Sequence, residues 1–184
     1  MAEYFVQQKA LSSNRRTLVQ DENGKNIYLL VGRWGKCHDK VSLYDLDGHL
    51  LGFIRQTSVI SGGRFSLYKG LEKVATMQKI PTLKKDRYFL SKLNWIASGN
   101  FSEHRYEIKH GYTLIMQMLG THMLRGDFYS LVIPEKENAP LAILISAVLD
   151  YWLYNSKPQK TFSLKNYTRQ ILKFNSLLAR KQSK

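Results

Sequence analysis

Apolar and polar positions alternate in short bursts along most of the chain and then give way to one unbroken apolar run. The bursts read as strands: Tyr4 to Lys9, Thr17 to Gln20, Asn26 to Gly32, Lys40 to Tyr44, Leu50 to Gln56, and Arg64 to Tyr68. Lys73 to Lys79, Arg87 to Leu90, Trp95 to Ser98, Arg105 to Lys109, Leu114 to Met118 and Asp127 to Ile133 follow in the same style. Turn residues separate them, with Asn23-Gly24, Asp47-Gly48, Lys69-Gly70 and His110-Gly111 as hairpin signals. Tyr106 and Ile108 alternate with Glu107 and Lys109, and Phe65 and Leu67 with Ser66 and Tyr68, as expected of sheet with one dry face. Leu18, Leu43 and Leu67 read as equivalent places in the first three hairpins, a weak periodicity short of a solenoid repeat.

About twelve antiparallel strands predict a mainly β fold, closed into a barrel so that no edge is left bare. Such a barrel is wider than the roughly eight strands whose own side chains fill the interior. The run Ala139 to Tyr154, read as a helix over about 139–155, is the available plug. An all-apolar helix must be enclosed by protein or lipid. From Pro140 to Tyr154 it reaches about 22 Å at about 1.5 Å per residue, short of a hydrocarbon core of about 30 Å. Asp150 argues further against a transmembrane span. Enclosed in the barrel, Asp150 is expected at the mouth with a backbone or basic partner, because burial without one is costly.

The domain expectation is therefore a barrel with its central helix over 1–156 and a basic appendage over 157–184. In that appendage Leu164, Tyr167, Ile171, Phe174 and Leu178 fall at helical spacing on one stripe, with Lys165, Arg169, Lys173, Arg180 and Lys181 mostly off it. Packing on the barrel, lying in a membrane interface, and contacting a partner or nucleic acid all remain open for such a helix. Charge bears on that choice. The chain carries a net +14, and the stretch from Tyr151 to Lys184 holds eight basic residues and no acidic one. That asymmetry points to an anionic partner, with added solubility as the plainer explanation.

Catalytic chemistry leaves few traces. The single Cys37 excludes an intramolecular disulfide and a multi-cysteine zinc site. His38, His49, His104, His110 and His122 form no helical ligand pair, so no metal site is expected, although His104 and His110 share a strand parity. Asp45-Leu46-Asp47-Gly48 starts like a calcium loop without the ligands that would complete it, and reads as a turn. No nucleophile elbow or phosphate loop occurs, and no cofactor is expected; the expectation is a protein that is not an enzyme. Lys79, Lys84, Lys85 and Arg87 cluster around a proline-containing connection and are the candidate anion contacts of the barrel. No basic and then apolar leader opens the chain, which makes a cytoplasmic location, peripheral to a membrane, the expectation.

Four stretches resemble the LURP-one-related (YxjI-like) family. Gly99-Asn100-Phe101-Ser102-Glu103-His104-Arg105-Tyr106-Glu107-Ile108 resembles its Gly-Asn-Phe-x-x-His-x-Tyr-x-Ile signature. Ile80 to Tyr88, the closing helix Leu141 to Asp150 with its late aspartate, and the opening Tyr4 to Lys9 are similar in the same order. The resemblance covers about residues 1 to 155 and implies the Tubby C-terminal-like fold, a twelve-stranded barrel around a hydrophobic helix. It implies no activity, and kinship with lipid-binding folds carries little about function. The leading expectation is a non-enzymatic binding module that meets anionic phospholipid or a phosphate-bearing ligand through basic loops and tail. The alternative is a structural or protein-partner-binding role with the tail helix packed on the barrel or a partner. Nucleic-acid binding lacks any reading motif.

Overall fold

The computed structural model describes residues 2–7, 16–33, 37–58, 63–82, 87–123 and 126–156. Twelve strands form a closed barrel. They are β1 (Ala2–Gln7), β2 (Arg16–Asp21), β3 (Asn26–Gly32), β4 (Lys40–Asp45), β5 (Leu50–Ser58) and β6 (Arg64–Lys69). Then come β7 (Glu72–Ile80), β8 (Arg87–Ser91), β9 (Trp95–Asn100), β10 (Arg105–His110), β11 (Thr113–Met123) and β12 (Gly126–Ile133). Each strand pairs antiparallel with its chain neighbours, and β1 closes the ring on β12 with Tyr4 opposite Leu131. A helix, α1 (Ala139–Ser156), follows the last strand. Contacts divide the chain into a unit Met1–Tyr154 and a second unit Asn155–Lys184. Residues 157–184, the predicted amphipathic helix, lie outside the described residues.

The inner wall and the helix bury one another. Val19, Leu30, Leu43, Ile54, Leu67, Met77, Leu90, Ile108, Met116 and Leu131 are sealed from solvent, and so is α1 from Leu141 to Asp150. The helix is buried on every side because the ring around it is complete, which is why its sequence shows no polar stripe. Gly52 lies beneath it: a Cβ built there would meet Leu144 Cδ1 at 3.4 Å.

Outside the barrel the alternation is less simple than the sequence suggests. Ser66 is buried although it faces outward, because it stands between Arg55 and Thr76 on the adjoining strands. Outward-facing Phe53 is also covered. Tyr68 stacks on it at 4.2 Å, and Lys40 and Arg55 stand over its ring at 5.2 and 5.7 Å. The supposed equivalence of Leu18, Leu43 and Leu67 fails. Leu43 and Leu67 point into the core, while Leu18 is 45% exposed, because β2 turns Thr17 and Val19 inward. A register offset by one residue reverses the face. β11 also runs beyond Met118 to Met123, since those residues keep pairing with β12 down to Gly126.

Successive hairpins place every second connection at the same end of the barrel. One end carries the β2–β3, β4–β5, β6–β7, β8–β9 and β10–β11 turns and the entry to α1; at the other, α1 reaches Asp150 beside the β9–β10 connection. No helix among the described residues is long and apolar enough to cross a membrane.

If α1 is the core of the barrel, Leu144→Ala should cost about 2–5 kcal/mol in urea denaturation. Leu46→Ala, at an exposed turn, should stay within about 0.5 kcal/mol. Equal costs for the two substitutions would contradict the packing described.

Candidate functional site

The helix-exit end is built around a tight corner between β9 and β10. Gly99 sits at φ +150°, and a Cβ there would come within 2.5 Å of Arg105 O and Tyr106 Cα, so no larger residue fits. The chain then makes one 3-10 turn, Phe101–Glu103. Phe101 drops into the core, edge-on to Tyr88 at 5.6 Å and 4.9 Å from Tyr106. His104 ends the turn in the left-handed conformation, φ 53°, with its N–H donated to Phe101 O at 3.1 Å. That conformation is uncommon for a residue other than glycine.

The corner brings the His104 ring to the helix. Nδ1 of His104 lies 2.8 Å from Oδ1 of Asp150, an ion-pair distance, and the ring is parallel to Tyr129 at 6.5 Å. The basic partner expected for Asp150 is thus the histidine of the signature stretch. Tyr106 and Tyr129 are buried beside the pair. Burial first, and then the negative charge of Asp150, raises both phenols well above their ordinary value. Thr17 and Gln56 are also buried at this end.

Around that mouth stands a cationic rim. Arg16 opens β2, Lys40 opens β4, Arg64 opens β6, Arg87 opens β8 and Arg105 opens β10. Arg55 and Lys79 lie at the same level on strands that end there, and Arg33 directly follows β3. Asp39 is held by Arg33 at 3.2 Å and Asp150 lies against His104, while exposed Glu103 and, as the second residue of β12, Asp127 place two further acids at this end. At the other end acids and bases are mixed: Asp21, Glu22, Asp45, Asp47, Glu72, Glu135 and Glu137 stand among Lys25, Lys69, Lys73, Lys92 and Lys136.

Of the cluster foreseen from sequence, Lys79 and Arg87 are described. Lys79 pairs with Tyr88 and Ile80 with Arg87. Tyr88 faces the interior, so Lys79 has inward parity at the rim while Arg87 points outward. The two cations do not converge. Arg87 instead lines a concavity on the outer wall with Arg105. Lys84, Lys85, Lys165, Arg169, Lys173, Arg180 and Lys181 lie outside the described residues. Arg16, Arg33, Lys40, Arg55, Arg64 and Arg105 were not singled out from sequence. Their common signal is that each sits beside an alternate connection.

His104 and His110 are not brought together, since the length of β10 separates them and His110 is exposed at the far end. The Asp45–Asp47–His49 groups approach within 4.8 Å, but the Asp45 carboxylate is occupied in closing its turn. It accepts the His49 N–H at 2.8 Å and lies 2.9 Å from His49 Nδ1.

Comparison with known proteins follows the same outline. A family model described as LURP-one-related matches residues 2–150. The chain is 26% identical over 162 residues to the uncharacterized protein YxjI of Bacillus subtilis (strain 168), covering 88% of this chain and 100% of that protein. Among solved structures, an Arabidopsis thaliana protein superposes with a TM-score of 0.55 at 18% identity, covering 82% of this chain and 90% of the other. The latter likeness concerns the fold, which is the Tubby C-terminal-like barrel.

The buried phenols fix one pH dependence. An unfolded chain releases tyrosine protons near pH 10, whereas folded Tyr106 and Tyr129 keep theirs to higher pH. The unfolded state therefore binds fewer protons above about pH 10, and stability, intact below that pH, falls as pH rises through it. Tyr106→Phe should make the alkaline fall in urea midpoint shallower between about pH 9 and 11.5. An unchanged slope would contradict the arrangement.

Proposed function

The chain belongs to the LURP-one-related family, and from that premise we propose that it is a non-enzymatic module that docks on anionic phospholipid through the helix-exit end of its barrel. The observation that carries this reading is the excess of basic over acidic residues at the helix-exit end of the barrel, against the mixed charge of the opposite end. A cation near an anionic leaflet contributes about 1 kcal/mol, so several on one rim give useful affinity without a deep pocket. They also orient the barrel, because the mixed charge of the opposite end gains nothing from the same surface. The chain runs on from α1 into a segment of lysines and arginines without an acid, and its basic stripe, Lys165, Arg169, Lys173, Arg180 and Lys181, adds to the attraction. Binding of this kind is peripheral and cytoplasmic.

A second reading, a protein-partner module, draws on a different observation. Leu46, Leu71 and Tyr112 are strongly exposed, and all three sit in hairpin turns at the end opposite the rim. Turn chemistry asks for none of them.

Co-sedimentation with neutral vesicles and with vesicles containing about a third anionic lipid separates the two. The anionic vesicles should retain the protein and the neutral ones should not, with retention falling as salt is raised. Arg16→Glu with Arg64→Glu should weaken retention at least about tenfold, whereas Lys69→Glu with Lys73→Glu should leave it within about twofold. Equal recovery on both vesicle types would end the electrostatic reading and favour the partner module.

A further inference from the structure

Below the rim, the outer wall of β8 to β11 carries a concavity of about 370 Å³ lined by Arg87, Ser98, Arg105, Glu107, Gln117 and Leu119, with Gly99, Tyr106 and Met118 behind them. Its form follows from register. Ser98 lies between Arg87 on β8 and Glu107 on β10, and Glu107 faces Gln117 on β11. Arg105 stands one outward position above Glu107, opposite Leu119. A short serine among long neighbours leaves a dish whose floor is a hydroxyl.

We propose that this dish is a binding site for a phosphate monoester. Four hydrogen-bonding side chains face it without a partner among the described residues: the guanidinium groups of Arg87 and Arg105, the Ser98 hydroxyl and the Gln117 amide. The one carboxylate present, Glu107, is neutralised by Lys109 Nζ at 2.7 Å. Two exposed arginines face one concavity, and no hydrogen bond or ion pair of the barrel engages either guanidinium among the described residues. They suit an oxyanion with two charges. Each planar fork offers paired N–H donors to a phosphate, and two forks fit the dianion of a monoester better than the single charge of a diester. Leu119, 40% exposed, gives the organic substituent an apolar surface.

The inference rests on the anionic-surface reading for one source of the ligand, a lipid headgroup. The dish stands just under the rim, where a headgroup that protrudes from a docked bilayer would meet it. A soluble phosphate monoester offers the same chemistry, and the test distinguishes the two sources.

The full chain is titrated with phenyl phosphate and, separately, with methyl phenyl phosphate, while the backbone amide of Ser98 and the Arg side-chain Nε signals are followed by NMR. The monoester should shift Ser98 and Arg105 and bind at least about fivefold more tightly than the diester. Arg87→Ala and Arg105→Ala should each weaken it about fivefold or more, while Arg64→Ala, on the same rim but outside the dish, should not. Vesicles of equal charge, one set holding a phosphatidate and the other a phosphodiester lipid, assign the source. Preference for phosphatidate that vanishes in Arg105→Ala supports a headgroup. Phenyl phosphate binding without such preference supports a soluble ligand, and it would hold even if adsorption to vesicles failed altogether. Shifts scattered over the cationic rim, or equal affinity for monoester and diester, would overturn the site.

Discussion

The constraint on which the rest depends is that a twelve-stranded ring cannot fill itself. Side chains pointing inward from about eight strands meet at the axis, and those from twelve leave a void. Helix α1 occupies that void, and its even apolarity is the direct result, because every side of it faces the inner wall. Neither part is stable alone. A bare helix of this composition would expose apolar surface all round, and an empty barrel would lose the packing of its whole interior. The chain supplies them in a workable order, with the strands first and the helix entering from the last of them.

Filling the barrel with one helix makes its two ends different. The helix enters among hairpin turns and leaves at a mouth where Asp150 needs a partner. His104 meets it at 2.8 Å because the β9–β10 corner, with Gly99 allowing close approach and Phe101 anchored in aromatic packing, turns the ring toward the axis. A buried histidine–carboxylate contact of this kind contributes little net stability, since desolvation offsets the attraction. Its value is positional: it fixes the depth of the helix and joins the signature stretch to the late aspartate. The same end carries the excess of cations over acids, so the exit of the helix and the positive rim coincide.

Much of the fold was legible because strand alternation and turn residues are local signals. Asn23-Gly24 and His110-Gly111 mark turns wherever they occur, and the run from Leu141 to Leu149 needs no partner to be recognised as enclosed. The membership of residues 2–150 in the family was legible from motif order. What failed depended on register. Leu18 faces outward because β2 is offset by one residue, and nothing in its own hairpin reveals that. Lys79 and Arg87 are neighbours in sequence terms but stand on opposite faces of adjoining strands. The rim was hidden for a related reason. Its arginines lie far apart along the chain and meet only through the closure of the ring, as do Arg87 and Arg105 around Ser98. Asp150 announced that it needed a partner, yet the partner lies on a different element with no sequence cue linking the two.

The proposed docking fixes an orientation, with the helix-exit end against an anionic surface. The chain holds the means to measure it, because its single cysteine, Cys37, is exposed in the β3–β4 connection at that end. A fluorophore on Cys37 can be compared with one on Leu71→Cys in a Cys37→Ser background, using anionic vesicles that carry a lipid-bound quencher. Docking by the helix-exit end should give strong quenching at Cys37 and little at position 71. Equal quenching at the two positions, or stronger quenching at 71, would contradict it.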